Sequence, residues 1–191
     1  MSQENVVRGV RYPISLPSGR AAERRTVDER FFVRFPALYR LLADAGMRLP
    51  LRSRLRRLVI TRLAGRAFAA ANRRDFDVQL LSMDPGIEYR PAGDQLAPGM
   101  DAVLHGHDGF VRRLRAWIET FDDFRFEPEE VIDLGGTLLV TARWSGHGSG
   151  SGVPMSGRLF QLYTQNRCGL VQKQEDFTDR DDALEAAGLS E

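Results

Sequence analysis

Apolar residues recur at helical spacing through the first third of the chain and at alternating spacing through the last third. Residues 1–24 hold Gly9, Pro13, Pro17 and Gly19 with no sustained period, a pattern that predicts a flexible arm. Thr26 followed three residues later by Glu29 predicts a capping box and a helix start. Pro36 ends that helix and opens the next, whose Leu38, Leu41, Leu42 and Ala45 form one stripe before Gly46. After Pro50, Leu51, Leu55, Leu58, Val59, Leu63, Ala67, Ala70 and Ala71 repeat at helical spacing as far as Asn72. Arginines 52, 54, 56, 57, 62 and 66 fall between them, so the pattern is an amphipathic helix with a basic face.

From Asp75 the texture changes. A short helix over 75–82 leads through the turn Asp84-Pro85-Gly86 into a strand over 87–90 that stops at Pro91. Residues 92–107 read as loop. Asp108 is placed to cap a helix on which Phe110, Leu114, Trp117, Ile118 and Phe121 share a face. Alternation then predicts strands near 124–133, 137–146, 154–165 and 169–177, joined at Asp133 to Gly136, Gly146 to Gly152 and Asn166 to Gly169, and a last helix over 179–187. Helices, a strand, a helix and then a four-strand meander make an α+β protein with helices on one face of a mostly antiparallel sheet.

Composition narrows the class. The chain has 191 residues, 42% hydrophobic and 28% charged, which suits one globular domain and excludes a disulfide scaffold, since Cys168 is the only cysteine. No apolar run is long enough to span a bilayer and the first residues lack a secretory pattern, so a cytoplasmic protein is expected. The net charge of +1 conceals a split: residues 1–74 carry 17 Arg against 5 acidic residues, and residues 75–191 carry 9 Arg and 1 Lys against 21.

Several segments in order resemble the SnoaL-like branch of the nuclear transport factor 2-like superfamily over residues 56–188. They are 66–75 (Arg-Ala-Phe-Ala-Ala-Ala-Asn-Arg-Arg-Asp), 83–89 (Met-Asp-Pro-Gly-Ile-Glu-Tyr), 105–110 (His-Gly-His-Asp-Gly-Phe), 124–130, 148–154 and 176–184. The resemblance implies a cone-shaped, curled sheet wrapped around helices, here with an N-terminal helical extension: arm 1–24, extension 25–50, cone domain 51–188. It implies an internal pocket for a small, largely apolar molecule, no cofactor, and a homodimer formed through sheet faces. Relatives include ketosteroid isomerase, polyketide cyclases, epoxide hydrolases and noncatalytic binders, so fold does not settle function.

The isomerase residues do not carry over. Its general base aligns with Tyr89, its oxyanion tyrosine falls near Ala67 and its protonated aspartate near Phe160; a tyrosine is a poor base at neutral pH, and alanine and phenylalanine donate no hydrogen bond. By alternation, Val171, Lys173, Glu175 and Phe177 share one face of the last strand. By resemblance that face turns inward with Leu138, Val140, Ala142 and Trp144 of one strand and Phe160 and Leu162 of another. Glu175 is then the candidate acid or base, Tyr89 orients the ligand, Lys173 tunes the carboxyl, and Val140, Trp144, Phe160, Phe177 and Trp117 line the pocket. The competing reading puts Lys173 and Glu175 at a wet mouth as a surface pair and makes the domain a noncatalytic ligand-binding or interaction module.

Other features carry less. His105 and His107 with Asp101 or Asp108 fall short of a metal site, and His147 sits in the glycine-rich connection, so no metal is expected. The basic segment 48–74 fits nucleic acid, an anionic membrane surface, or the acidic half of its own domain or of a partner chain. The last needs no further partner and is favoured; nucleic acid and peripheral membrane contact are disfavoured.

Overall fold

The computed structural model describes residues 9–92 and 103–189; most of the expected 92–107 loop lies outside them, as do residues 1–8 of the arm. Strands β1 (Val10–Pro13), β2 (Met83–Arg90), β3 (Leu104–His105), β4 (Arg125–Asp133), β5 (Thr137–His147), β6 (Pro154–Gln165) and β7 (Val171–Phe177) form one open sheet. Its order is β1-β4-β5-β6-β7-β2-β3, antiparallel except where β2 lies beside β7. The helices are α1 (Arg20–Glu23), α2 (Val27–Arg34), α3 (Pro36–Met47), α4 (Arg54–Asn72), α5 (Phe76–Leu80), α6 (Gly106–Thr120) and α7 (Arg180–Ala186). The result is the expected α+β architecture.

The inner sheet face carries the main core. Leu138, Val140, Ala142 and Trp144 of β5, Phe126 and Val131 of β4 and Leu159 of β6 pack against Ile60 and Phe68 of α4 and Trp117 of α6. The outer face carries a smaller one, where α7 sets Ala183 and Leu184 on Ile132, Leu139, Phe160 and Leu162. Elsewhere that face bears exposed pairs, Arg143 with Glu127 and Arg158 with Glu129.

Two local expectations are corrected, and the packing of α3 adds a third finding. The segment expected to be a flexible arm contains β1, whose residues 10–13 pair with 133–130 of β4 and which buries Tyr12. Helix α6 begins at Gly106, one residue after His105, so Asp108 lies in its first turn and is not its cap. In α3 the buried face is Tyr39, Ala43 and Gly46, while Leu38, Leu41 and Leu42 point to solvent. Small residues win the inward face because the helix comes very close to its neighbours. A Cβ on Gly46 would meet the Val59 side chain at 2.7 Å, and one on Gly169, in the β6–β7 turn at φ +73°, would meet the Ala43 backbone at 2.9 Å.

A similar inversion holds at the start of α4, where Leu55 and Leu58 are exposed and Arg56 is only 2% exposed. Arg56 Nε and Nη2 donate to Asp133 at 2.6 and 2.9 Å, and its remaining donors reach the carbonyls of Met47, Leu49 and Gly135. A bidentate guanidinium with every direction filled is the geometry in which a buried ion pair is tolerated. It fixes the start of α4 and the α3–α4 connection to the end of β4. The Thr26 capping box forms as expected, with Glu29 buried and held by Arg73 at 3.1 Å.

Candidate functional site

The site is set by one irregularity in β7. Across β6, Gln165 pairs with Val171 but Thr164 pairs with Lys173, so β7 gains a residue at Gln172. A bulge of this kind reverses which side chains face inward beyond it. Val171 therefore packs inside with Met83, Ile87 and Tyr89, and past the bulge it is Gln174 and Asp176 that turn inward, 4% and 6% exposed. The facing strand agrees: Gln161 pairs with Asp176 and Tyr163 with Gln174, and both line the same interior.

This corrects the expected catalytic face. Lys173 and Glu175 lie on the outer side, paired with each other at 2.8 Å and opposite Thr164 and Leu162 of β6. Phe160 and Phe177 face each other across the strands on that same side, in the α7 cluster. Trp144 is on the inner face, packed against Trp117 at 5.5 Å between ring centroids, in the core beyond the cavities. Tyr89, Trp117 and Val140 do border internal space.

At the centre is Asp176. Its Oδ1 accepts from Gln161 Nε2 at 3.1 Å and Gln174 Nε2 at 2.9 Å, and its Oδ2 accepts from the Tyr89 hydroxyl. Tyr163 donates to Gln161 Oε1 at 2.9 Å, and Arg113 Nε donates to the Tyr89 oxygen at 3.3 Å. Arg113 is 1% exposed and its guanidinium lies 5.0 Å from the Trp117 ring centroid. Burial raises the Asp176 carboxyl above the usual carboxylate range; the hydrogen bonds from Gln174, Tyr89 and Gln161 and the charge of Arg113 oppose the rise without cancelling it. Burial, reinforced by the Asp176 charge, also holds the Tyr89 hydroxyl well above its ordinary value. Tyr89 therefore stays a hydrogen-bond donor, and Asp176 is the carboxyl of this network whose proton affinity burial raises.

Two small cavities adjoin this network and share Ala67, Phe68, Met83 and Tyr163 on their walls. One, of about 50 Å³, is bordered by Gln79, Tyr89, Gln161, Gln174 and Asp176. The other, of about 90 Å³, is bordered by apolar groups such as Ile60, Leu63, Leu138 and Val140. The Oε1 atoms of Gln79 and Gln174 are buried without a hydrogen-bond partner beside the first. Among the described residues no group of three potential ligands gathers for a metal ion, and no helix is long and apolar enough to cross a membrane.

Sequence reasoning passed over Asp176, Gln174, Gln161, Tyr163, Gln79 and Arg113. Signals were present for two of them. Arg113 interrupts the apolar stripe between Phe110 and Trp117, and Gln161 interrupts the apolar run Leu159 to Leu162. A charged or amide side chain on an inward face is a site candidate because its burial requires partners.

An open, mostly antiparallel sheet with its main core against helices on one face is the architecture of the nuclear transport factor 2-like class. The SnoaL-like domain family matches residues 64–173, and the chain belongs to it. Among solved structures the fold is shared with TerC co-crystallised with polyporic acid, at 22% identity and TM-score 0.53 over 62% of this chain and 90% of that one. It is also shared with a protein of Jannaschia sp. CCS1 described as a SnoaL-like polyketide cyclase, at 21% identity and TM-score 0.52 over 68% and 92% of the two chains. A Mycobacterium tuberculosis protein in complex with estradiol-17beta-hemisuccinate matches at 14% identity and TM-score 0.52 over 62% and 92%. A comparison with curated proteins finds no match.

Proposed function

We propose that this domain binds a small amphipathic molecule between α4, α6 and the concave sheet face, and that Asp176 performs acid–base chemistry on it without a cofactor. The observation that carries this reading is a buried carboxyl with a raised pKa, held by Tyr89, Gln161 and Gln174 at the edge of an internal cavity. Side chains with shifted pKa values inside cavities are characteristic of catalytic acids and bases. Polar groups at one end and apolar ones at the other match a ligand with a carbonyl or hydroxyl head on a hydrocarbon body. Proteins of the same fold were crystallised with polyporic acid and with estradiol-17beta-hemisuccinate, both of which combine oxygen substituents with apolar rings.

In this conformation the cavities, about 50 and 90 Å³, are smaller than the roughly 300–1,000 Å³ of a typical small-molecule site. Binding a molecule of polyketide size therefore requires side chains such as Phe68, which borders both, to move aside. Tyr89 would donate to the ligand oxygen in exchange for Asp176, and Arg113 would stabilise negative charge developing there.

Titration with polyporic acid and with estradiol hemisuccinate, followed by tryptophan fluorescence, tests the pocket, because Trp117 borders it. Saturable quenching that disappears in Ala67→Phe, which fills the space between the two cavities, is expected. Quenching that persists in that variant would place any binding elsewhere. Dimerisation through the exposed outer sheet around Arg143 and Arg158 belongs to the same proposal and leaves the concave site free.

A further inference from the structure

Of the ten large hydrophobic residues exposed among the described residues, eight lie between Val27 and Leu58, on α2, α3 and the start of α4. Leu38, Leu41 and Leu42 form a stripe on α3, the last two 63% and 53% exposed. The Phe31 and Phe35 rings meet at 5.1 Å between centroids, tilted by 50°, just before it, and Val27 and Phe31 share the walls of one open cleft with Leu58 and Arg62 of α4. An apolar face of this extent on one side of a folded chain marks an interaction surface.

The charges around it are of one sign. Arg30, Arg34, Arg40, Arg52, Arg54 and Arg62 are exposed, and none has an acidic partner among the described residues. Every carboxylate of the same stretch is already taken: Asp28 by Arg66, Glu29 by Arg73 and Asp44 by Arg48. Among the described residues, only Arg56 and Arg73 of segment 48–74 form ion pairs with carboxylates of the acidic half, at Asp133 and Asp75. Within the chain itself, the acidic half therefore meets only a small part of the basic segment.

We propose that the α2–α3–α4 face is a membrane-docking surface that seats the chain on bilayers containing anionic phospholipid. Leucines and phenylalanines enter the acyl boundary while the surrounding arginines meet lipid phosphates, the combination that makes basic amphipathic helices interfacial. Charge argues against a second copy, because a two-fold interface would set this arginine-ringed patch against itself. Nucleic acid would use the arginines and leave the leucines without a role. Seated this way, the domain places the helices that wall its internal cavities at the source of apolar molecules; Ala43 and Met47 of α3 border the apolar cavity.

The test is sedimentation of the full chain with phosphatidylcholine vesicles, with and without phosphatidylglycerol, over a range of salt concentrations. Binding should require phosphatidylglycerol and weaken as salt rises. Leu41→Glu combined with Leu42→Glu should weaken it about tenfold or more while circular dichroism stays unchanged, since both side chains are exposed; Arg54→Glu with Arg62→Glu should also weaken it. Equal recovery of wild type and both variants with the two vesicle types overturns the proposal. So does loss of a dimer in the leucine variant by analytical ultracentrifugation without any lipid binding by the wild type, which would assign the face to a second copy. Binding to RNA that survives the leucine changes and not the arginine ones, again without lipid binding, overturns it as well.

Discussion

The Tyr89 hydroxyl donates a hydrogen bond to the Asp176 carboxyl across the parallel β2–β7 pair, on the concave side of the sheet. The carboxyl has its pKa raised by burial, so folding shifts its titration upward relative to the unfolded chain. Stability from this group is complete below the unfolded value of about 3.9 and is lost as pH rises through the folded pKa. Asp176→Asn removes that titration. Relative to the variant, wild type should lose stability as pH rises above the ordinary carboxylate range, and denaturation midpoints of the two proteins across pH measure the difference.

Tyr89→Phe removes the hydroxyl that helps hold the carboxylate and leaves Arg113 Nε without that acceptor. A cost of about 1–3 kcal/mol is expected. The Asp176 pKa should rise further, because the Tyr89 hydrogen bond lowers it. Urea denaturation reads the first effect and a pH series the second.

Glu175→Gln separates the two faces of β7. Its side chain lies with Lys173 on the outer side, so ligand titrations should match wild type, whereas Asp176→Asn should abolish turnover once a substrate is in hand. A Glu175→Gln variant that lost ligand response would reinstate the outer face.

Arg56 ties the extension to the sheet through Asp133, with side chains 2% and 0% exposed. Arg56→Met leaves a buried carboxylate without its partner and should cost about 3–5 kcal/mol. Arg56→Met with Asp133→Asn should cost clearly less than the sum of the single changes, as a double-mutant cycle in denaturant would show.

Gly169 sits at φ +73° against the Ala43 backbone. Gly169→Ala combines an unfavourable conformation with a clash and should destabilise by about 1–3 kcal/mol. Its effect should appear as faster amide exchange in α3, whose docking depends on that close approach.

Most of the architecture was legible because the period of the apolar residues changes where the structure changes: the meander expected near 124–177 occupies 125–177. Two kinds of error remained. On α4 the arginines read as one basic face beside the apolar stripe, whereas Arg56 faces inward because a buried ion pair outranks leucine burial there, as close approach does for Ala43 and Gly46 of α3. In β7, alternation was carried through Gln172, where the bulge breaks it. One extra residue exchanged Glu175 for Asp176, and nothing in a single strand's pattern reveals a bulge whose cause is its pairing with a neighbour.

The most direct measurement is a carbon-13 NMR titration of the aspartate carboxyls, with the Asp176 resonance assigned by its absence in Asp176→Asn. It should titrate above the ordinary carboxylate range and move higher still in Tyr89→Phe. A resonance that titrates at or below about 4, as an exposed aspartate does, would contradict the assignment of Asp176 as the proton-carrying group of this site.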